Sequence, residues 1–183
     1  MIALDIDSDQ LQRIADEFGA SEKDLRLAFS RALSRTSRTL RTMARKYLRE
    51  GLELRAASVL KARLRLARYR AKGSGMGAAR LWVGANDLPA TAFKGKPRQT
   101  SRGVRVGGRT FDGAFVGTGR DSGQQMVFKR KGHKRLPIYR ETVSVQEEMN
   151  DILDRQVFQE SQNLIMTNFR AELRARTIYR VGR

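Results

Sequence analysis

Apolar residues first fall into a helical rhythm at Ser21. Leu25, Ala28, Phe29, Ala32, Leu33, Leu40, Met43, Ala44, Tyr47 and Leu48 recur at steps of three and four, the spacing that places side chains on one face of an α-helix. Ser21 and Asp24 form the start of a capping box with Asp in place of Glu, and Gly51 supplies a stop. The pattern therefore predicts one long helix over 21–51. A second helix is predicted over 55–72, where Val59, Leu60, Leu64 and Ala67 make a narrow apolar side and Lys61, Arg65, Arg68 and Lys72 align on another. Like charges three and four residues apart repel, so this basic rod needs a neighbour to order it.

The rhythm then changes. Residues 73–132 hold thirteen of the sixteen glycines and two of the three prolines, which marks a passage from helices to strands and turns. GSGMG at 73–77 reads as a hinge, with 73–78 as its extent. Residues 81–83, 104–106, 110–111, 114–116 and 125–129 read as strands, and Gly107-Gly108 as a two-residue hairpin turn. Residues 86–97 and 117–123 read as loops, and the basic stretch 94–103 as a mobile one. Short strands between turns imply a small, mostly antiparallel sheet over 79–143. Ser144 followed by Glu147 is a full capping box and opens a last helix, running to about 175, whose apolar positions are Met149, Ile152, Leu153, Val157, Leu164, Ile165, Phe169 and Leu173. The spacing slips between Val157 and Leu164, where a kink is expected. The predicted class is α+β, a single domain with long N- and C-terminal helices packed on a small antiparallel sheet.

Charge changes this picture most. The 183 residues carry 37 Lys plus Arg against 19 Asp plus Glu, a net +18. The surplus is segregated: net −5 over 1–25, +13 over 26–72, zero over 73–93, +10 over 94–135 and zero over 136–183. Twenty-eight of the cations are Arg, the side chain suited to forked contacts with phosphate or carboxylate. Opposite the apolar face of the first helix stand Arg31, Arg35, Arg38, Arg45 and Arg49. A solvated face is the ordinary reading of such a stripe, but almost no acidic residues balance it here. The sequence Lys129-Arg-Lys-Gly-His-Lys-Arg135 puts Lys129, Arg130, Lys131, Lys134 and Arg135 in a turn before Leu136-Pro137-Ile138. Those cations stand at a hairpin tip, within reach of a phosphate or an acidic protein. Aromatics are 7% of the chain, and Phe29, Tyr47, Phe158 and Phe169 have helix-core spacing, so base stacking is not expected and backbone contact without sequence readout remains.

Several chemistries are excluded or disfavoured. There is no cysteine and His133 is the single histidine, so thiolate and multi-histidine metal centres are ruled out. Asp5, Asp7 and Asp9 imitate a calcium loop, but Gln10 occupies the sixth position where a glycine is needed. GSGMG lacks the strand-to-helix setting and terminal Gly-Lys-Ser/Thr of a phosphate-binding loop. His133 sits among five cations without an orienting acid, and the carboxylates crowd at the N-terminus and on the last helix, unlike a metal-dependent nuclease. Neither cofactor nor metal is expected, nor is an enzyme. No apolar run reaches the roughly 18–20 residues of a membrane span, and the acidic start does not read as a signal peptide.

The ordered set LRLAFSRALSRTSRTLRTMARKYL, LKARLRLARYRA, ARLWVGANDLPA, GRTFDGAFV and VFKRKGHKRLPIYRETVSV, leading into a long helix, resembles the siphophage minor tail protein Z, or tail completion, family over about 25–175. The resemblance implies a virion protein of the neck or upper tail, made in the host cytoplasm, that completes the tail for head joining and DNA delivery. It implies α+β subunits on a symmetric tube, a homo-oligomeric ring contacting other tail and neck subunits and, non-specifically, viral DNA, with no catalytic residues. By the same matching, Arg105 and Arg109 flank the family-like hairpin and Lys129 to Arg135 form the family-like basic turn. On this reading Leu25, Phe29, Leu33, Leu40, Met43, Trp82, Phe115 and Phe169 are candidates for subunit packing, and the Arg stripes face DNA or acidic neighbours. A free, sequence-independent double-stranded nucleic-acid binder is the alternative the residues leave open.

Overall fold

A computed structural model describes residues 2–3, 8–69, 77–119, 123–132 and 134–180. His133, Lys72, Asp5, Asp7, residues 73–76 of the expected hinge and residues 181–183 lie outside the described residues. The elements run β1 (Ile2–Ala3), α1 (Ser8–Glu17), α2 (Glu22–Gly51), a 3-10 turn (Ala57–Leu60), β2 (Leu64–Tyr69), β3 (Ala78–Val83), β4 (Leu88–Pro89), a second 3-10 turn (Ala90–Ala92), β5 (Arg98–Gln99), β6 (Gly103–Val106), β7 (Arg109–Asp112), β8 (Ala114–Thr118), β9 (Gln125–Arg130), β10 (Ile138–Arg140), β11 (Thr142–Val143), α3 (Gln146–Leu153), a π-helical segment (Asp154–Phe158) and α4 (Gln159–Thr177). The class is α+β as predicted. The chain divides into two compact units: Met1–Arg45, Ala62–Gly84 and Leu153–Arg183 in the first, Lys46–Lys61 and Ala85–Ile152 in the second.

The first unit is built on α2. Asp24 N–H donates to Ser21 Oγ at 3.2 Å, and Ser21 Oγ–H donates to Asp24 Oδ2 at 2.7 Å, so the predicted cap does start the helix. Its apolar stripe packs with α1 and α4: Leu11, Ile14, Ala15, Leu25, Ala28, Phe29, Ala32, Leu33, Ile165, Phe169 and Leu173 form one buried cluster. Phe29 and Phe169 meet edge to face, 6.3 Å between centroids at 76°. Between α4 and α2, Asn168 Nδ2 donates to the buried Thr36 Oγ1 at 2.8 Å. Arg176, 3% exposed, lies 3.9 Å from Asp24. That pair sets a cation in the last turn of α4 and a carboxylate in the first turn of α2, where each complements the helix dipole.

The sheet of this unit corrects the second predicted helix. Residues 64–69 are β2, paired antiparallel with β3 from Leu64↔Val83 to Tyr69↔Ala78, while β1 pairs with the other edge of β3 in the order β1-β3-β2. Among the described residues of 55–72, only the four residues Ala57–Leu60 keep a helical turn. The cause is the alternation Leu64-Arg65-Leu66: with period two, Leu64 is buried and Arg65 exposed, and the strand removes the like-charge spacing of three and four that a helix would impose. The acidic N-terminal segment also holds a helix, α1, which the Asp-rich start concealed.

The second unit holds three small antiparallel sheets, in the orders β5-β6-β7, β8-β9-β10 and β4-β11. Val104, Val106, Phe111, Ala114, Val127 and Ala90 fill its core. The expected hairpin is present: Val106 pairs with Arg109 across Gly107-Gly108, and Gly107 has φ +58. Gly103 holds φ +155, and a Cβ there would lie 2.1 Å from the Phe111 carbonyl oxygen. The stretch 94–103, expected as a mobile loop, contains β5, whose Gln99 donates from Nε2 to the Gly103 and Ala114 carbonyls at 3.0 and 3.3 Å. In the last helix the irregularity falls over Asp154–Phe158, at the start of the slip the spacing predicts. Buried positions there run Met149, Leu153, Val157, Ser161, Ile165, Phe169 and Leu173, every fourth residue. A stripe with that period drifts around a 3.6-residue helix, and the wider π turn takes part of the drift back.

Candidate polyanion interface

The strongest concentration of charge in the first unit lies on α2. Arg31, Arg35 and Arg38 are exposed at helical spacing, and with Ser34, Thr39 and Glu172 they line a cavity of about 440 Å³. Glu172 of α4 is largely buried, 3.3 Å from Arg35 and 4.0 Å from Arg31. Arg68 of β2 joins them by donating from Nη1 to Ser34 Oγ at 2.6 Å. Two guanidiniums, Arg31 and Arg35, thus flank one carboxylate, with Arg38 on the same cavity wall and Arg68 tied to its rim at Ser34. The arginine side chains are 56% and 60% exposed at positions 31 and 35, so solvent screens the pairs and their donors are left for a polyanion or an acidic surface. The largely buried Glu172 and the exposed guanidiniums beside it make a cationic surface on this unit.

The rest of the predicted stripe divides. Arg49, in the last turn of α2, is exposed and belongs to the second unit, whereas Arg45 is half-buried with its Nε enclosed and without a partner. Arg41 shares that state; sequence reasoning passed over it because it sits between the two stripes. Lys61 is exposed after the 3-10 turn, and exposed Arg65 lies with its guanidinium 5.8 Å from the Trp82 ring centroid.

In the second unit Arg105 is exposed and donates from Nε to the Gly107 carbonyl at 3.1 Å. Arg109 is not outward: its guanidinium stacks 4.4 Å from the Phe93 centroid and pairs with Glu148 at 3.4 Å. That residue is committed to holding its own unit together. The basic turn forms as expected, since β9 and β10 pair with Arg130 opposite Ile138. Lys129, Lys131, Lys134 and Arg135 are exposed there, and Arg130 lies 5.4 Å from the Phe115 centroid.

The candidates for subunit packing need a larger revision. Leu25, Phe29, Leu33, Leu40 and Phe169 are 0–6% exposed within this one chain, so they fill its own core and offer no area to a neighbour. Met43 and Phe115 are half-buried. Trp82 alone of the set is exposed, at 46%. Apolar periodicity reports burial and not the identity of the covering chain, which is why the sequence could not separate these cases.

The profile of the prophage minor tail protein Z (GPZ) family matches residues 8–180. The chain belongs to that family. No curated protein and no solved structure matches it. As a minor tail protein Z it is a structural component of a phage tail, hence a virion component made in the host, and contact with other tail components follows from that membership. Among the described residues no group of three or more His, Cys, Asp or Glu could hold a metal ion, and no helix is long and apolar enough to cross a membrane.

Proposed function

We propose that this minor tail protein Z is a non-enzymatic subunit of the phage neck or upper tail. It completes the tail so that the tail can join a filled head and pass DNA, acting as a homo-oligomeric ring. The observation that carries the reading is the arginine cluster on and beside α2: Arg31, Arg35 and Arg38 line one cavity in which Glu172 is the single carboxylate, and Arg68 of β2 bonds its rim at Ser34, in a chain of net charge +18 that belongs to a tail family. Self-repulsion of that size is relieved when an anionic surface takes up the cations. The cluster reads phosphate or carboxylate charge and no base sequence, which suits a conduit through which any DNA must pass.

The test uses tails assembled without this protein. Adding the purified chain should restore their joining to filled heads, and a variant with Arg31, Arg35 and Arg38 all changed to Glu should fail to do so while retaining its circular dichroism. If the wild-type chain neither associates with such tails nor restores joining, and instead binds duplex DNA on its own with high affinity, the protein is a free nucleic-acid binder and the reading is wrong.

A further inference from the structure

The outward face of the β2–β3 pair carries exposed aromatic and arginine side chains apart from the α2 cluster. In the antiparallel register Arg65 stands opposite Trp82, Ala67 opposite Arg80 and Tyr69 opposite Ala78, and these six alternate with Leu64, Leu66, Leu81 and Val83 on the other face. Trp82 is 46% and Tyr69 51% exposed. Each ring has a guanidinium over it, Arg65 at 5.8 Å from the Trp82 centroid and Arg80 at 5.6 Å from the Tyr69 centroid. The indole also lies against Gly84, where an added Cβ would fall 2.6 Å from Trp82 Cη2, so the ring is held down along the strand. Neither strand contains an acidic residue.

This combination of Trp, Tyr and Arg without Lys, Asp or Glu is the composition of an interface centre. Duplex DNA offers a charged backbone but no apolar area to cover two rings. A stacking base would have to displace the guanidiniums already over them. A carboxylate needs neither change, because a guanidinium stacked on a ring keeps its N–H edge free to be recognised in a fork. The partner that fits is a protein surface with paired carboxylates.

The chain carries such a surface. Helix α3 contains no basic residue and has Glu147 and Asp151 exposed on either side of Glu148, which pairs with Arg109. Glu147 and Asp151 are four apart, about 6 Å between Cβ atoms on one helix face. Arg65 and Arg80 are two residues apart along the ladder and one strand across, about 8 Å, a gap their long side chains span. We infer that the Arg65–Trp82–Arg80–Tyr69 face of one copy docks on the acidic face of α3 in a second copy. Two different patches meet, so the contact is heterologous, and its repetition closes into a ring when the rotation permits. The inference rests on the ring reading above and names the surfaces that make it.

Sedimentation velocity of the full chain, over a concentration series, tests it. The wild type should oligomerise; Arg65→Glu with Arg80→Glu, and separately Trp82→Ala, should weaken association by about 30-fold or more. Glu147→Arg with Asp151→Arg should weaken it alike, and mixing the two charge-reversed proteins should restore assembly as alternating hetero-oligomers. Single Glu147→Arg guards against a folding defect in the double variant. A wild type that stays monomeric overturns the ring reading and this contact with it. A wild type that oligomerises unaffected by either reversal leaves the ring standing and overturns this contact alone. Loss of binding to single-stranded poly(dT) in Arg65→Glu, with assembly intact, would make the face a nucleic-acid platform and overturn the proposal too.

Discussion

Phe169→Ala separates a residue that builds the subunit from one that joins subunits. Phe169 is fully buried among Leu11, Ile14, Phe29, Leu33, Ile165 and Leu173, and its ring meets Phe29 edge to face at 6.3 Å. Truncating a buried Phe to Ala costs about 3–5 kcal/mol when neighbours relax only partly, and about 0.5–1.5 kcal/mol of that belongs to the aromatic pair. Against a total stability of about 5–15 kcal/mol, the loss removes a large share of what holds α1, α2 and α4 together. At about 2–4 °C per kcal/mol for a chain of this size, the melting temperature should fall by about 10 °C. Urea unfolding followed by far-ultraviolet circular dichroism, at a concentration where the protein is monomeric, measures it; Phe169→Leu should recover most of the loss. Trp82→Ala, at an exposed position, should cost no more than about 0.5 kcal/mol in the same assay. If Phe169→Ala costs less than about 1 kcal/mol in the monomer, the ring is not in the subunit's own core. The assignment of Phe29, Leu33 and Phe169 to that core then fails.

Three further outcomes follow from the geometry. Glu172→Gln removes the carboxylate between Arg31 and Arg35; duplex DNA titrations across a salt series should show tighter binding and a slope steeper by about 0.9 for each extra phosphate engaged, and an unchanged slope would mean that the cluster does not meet phosphate. Gly103→Ala forces a Cβ to 2.1 Å from the Phe111 carbonyl oxygen at φ +155, so hydrogen exchange should show the β6–β7 amides losing protection, and intact protection would contradict that packing. Ser21→Ala deletes the acceptor of the Asp24 amide and should lower stability by about 1 kcal/mol in urea unfolding, with Ser21→Asp retaining the cap.

How much of this was legible in the sequence depended on the range of the interactions involved. Helix α2 could be read because its signals are local: a cap at Ser21, thirty residues of consistent spacing and a stop at Gly51. The hairpin at Gly107-Gly108 and the basic turn were legible for the same reason. Strand β2 was not, because Leu60, Leu64 and Ala67 suit a helix as well as Leu64 and Leu66 suit a strand, and the deciding partner, β3, lies beyond the glycine-rich stretch. Helix α1 was concealed by its acidic residues although Leu11, Ile14, Ala15 and Phe18 carry a helical spacing. The arginine face of α2 was visible as a stripe. Its pairing with Glu172 of α4 and its link through Ser34 to Arg68 of β2 needed three elements brought together in space. The apolar stripe gave burial, and only the packing showed that Leu25 and Phe169 are covered by their own chain.

An electron cryo-microscopy map of the assembled neck tests the proposal that this minor tail protein Z is a repeated structural subunit where the tail meets the head. Density is expected for several symmetry-related copies at the upper end of the tail, with Arg31, Arg35 and Arg38 directed at DNA or at acidic neighbouring subunits. A map of intact, head-joined tails in which this chain has no density at that position would contradict it.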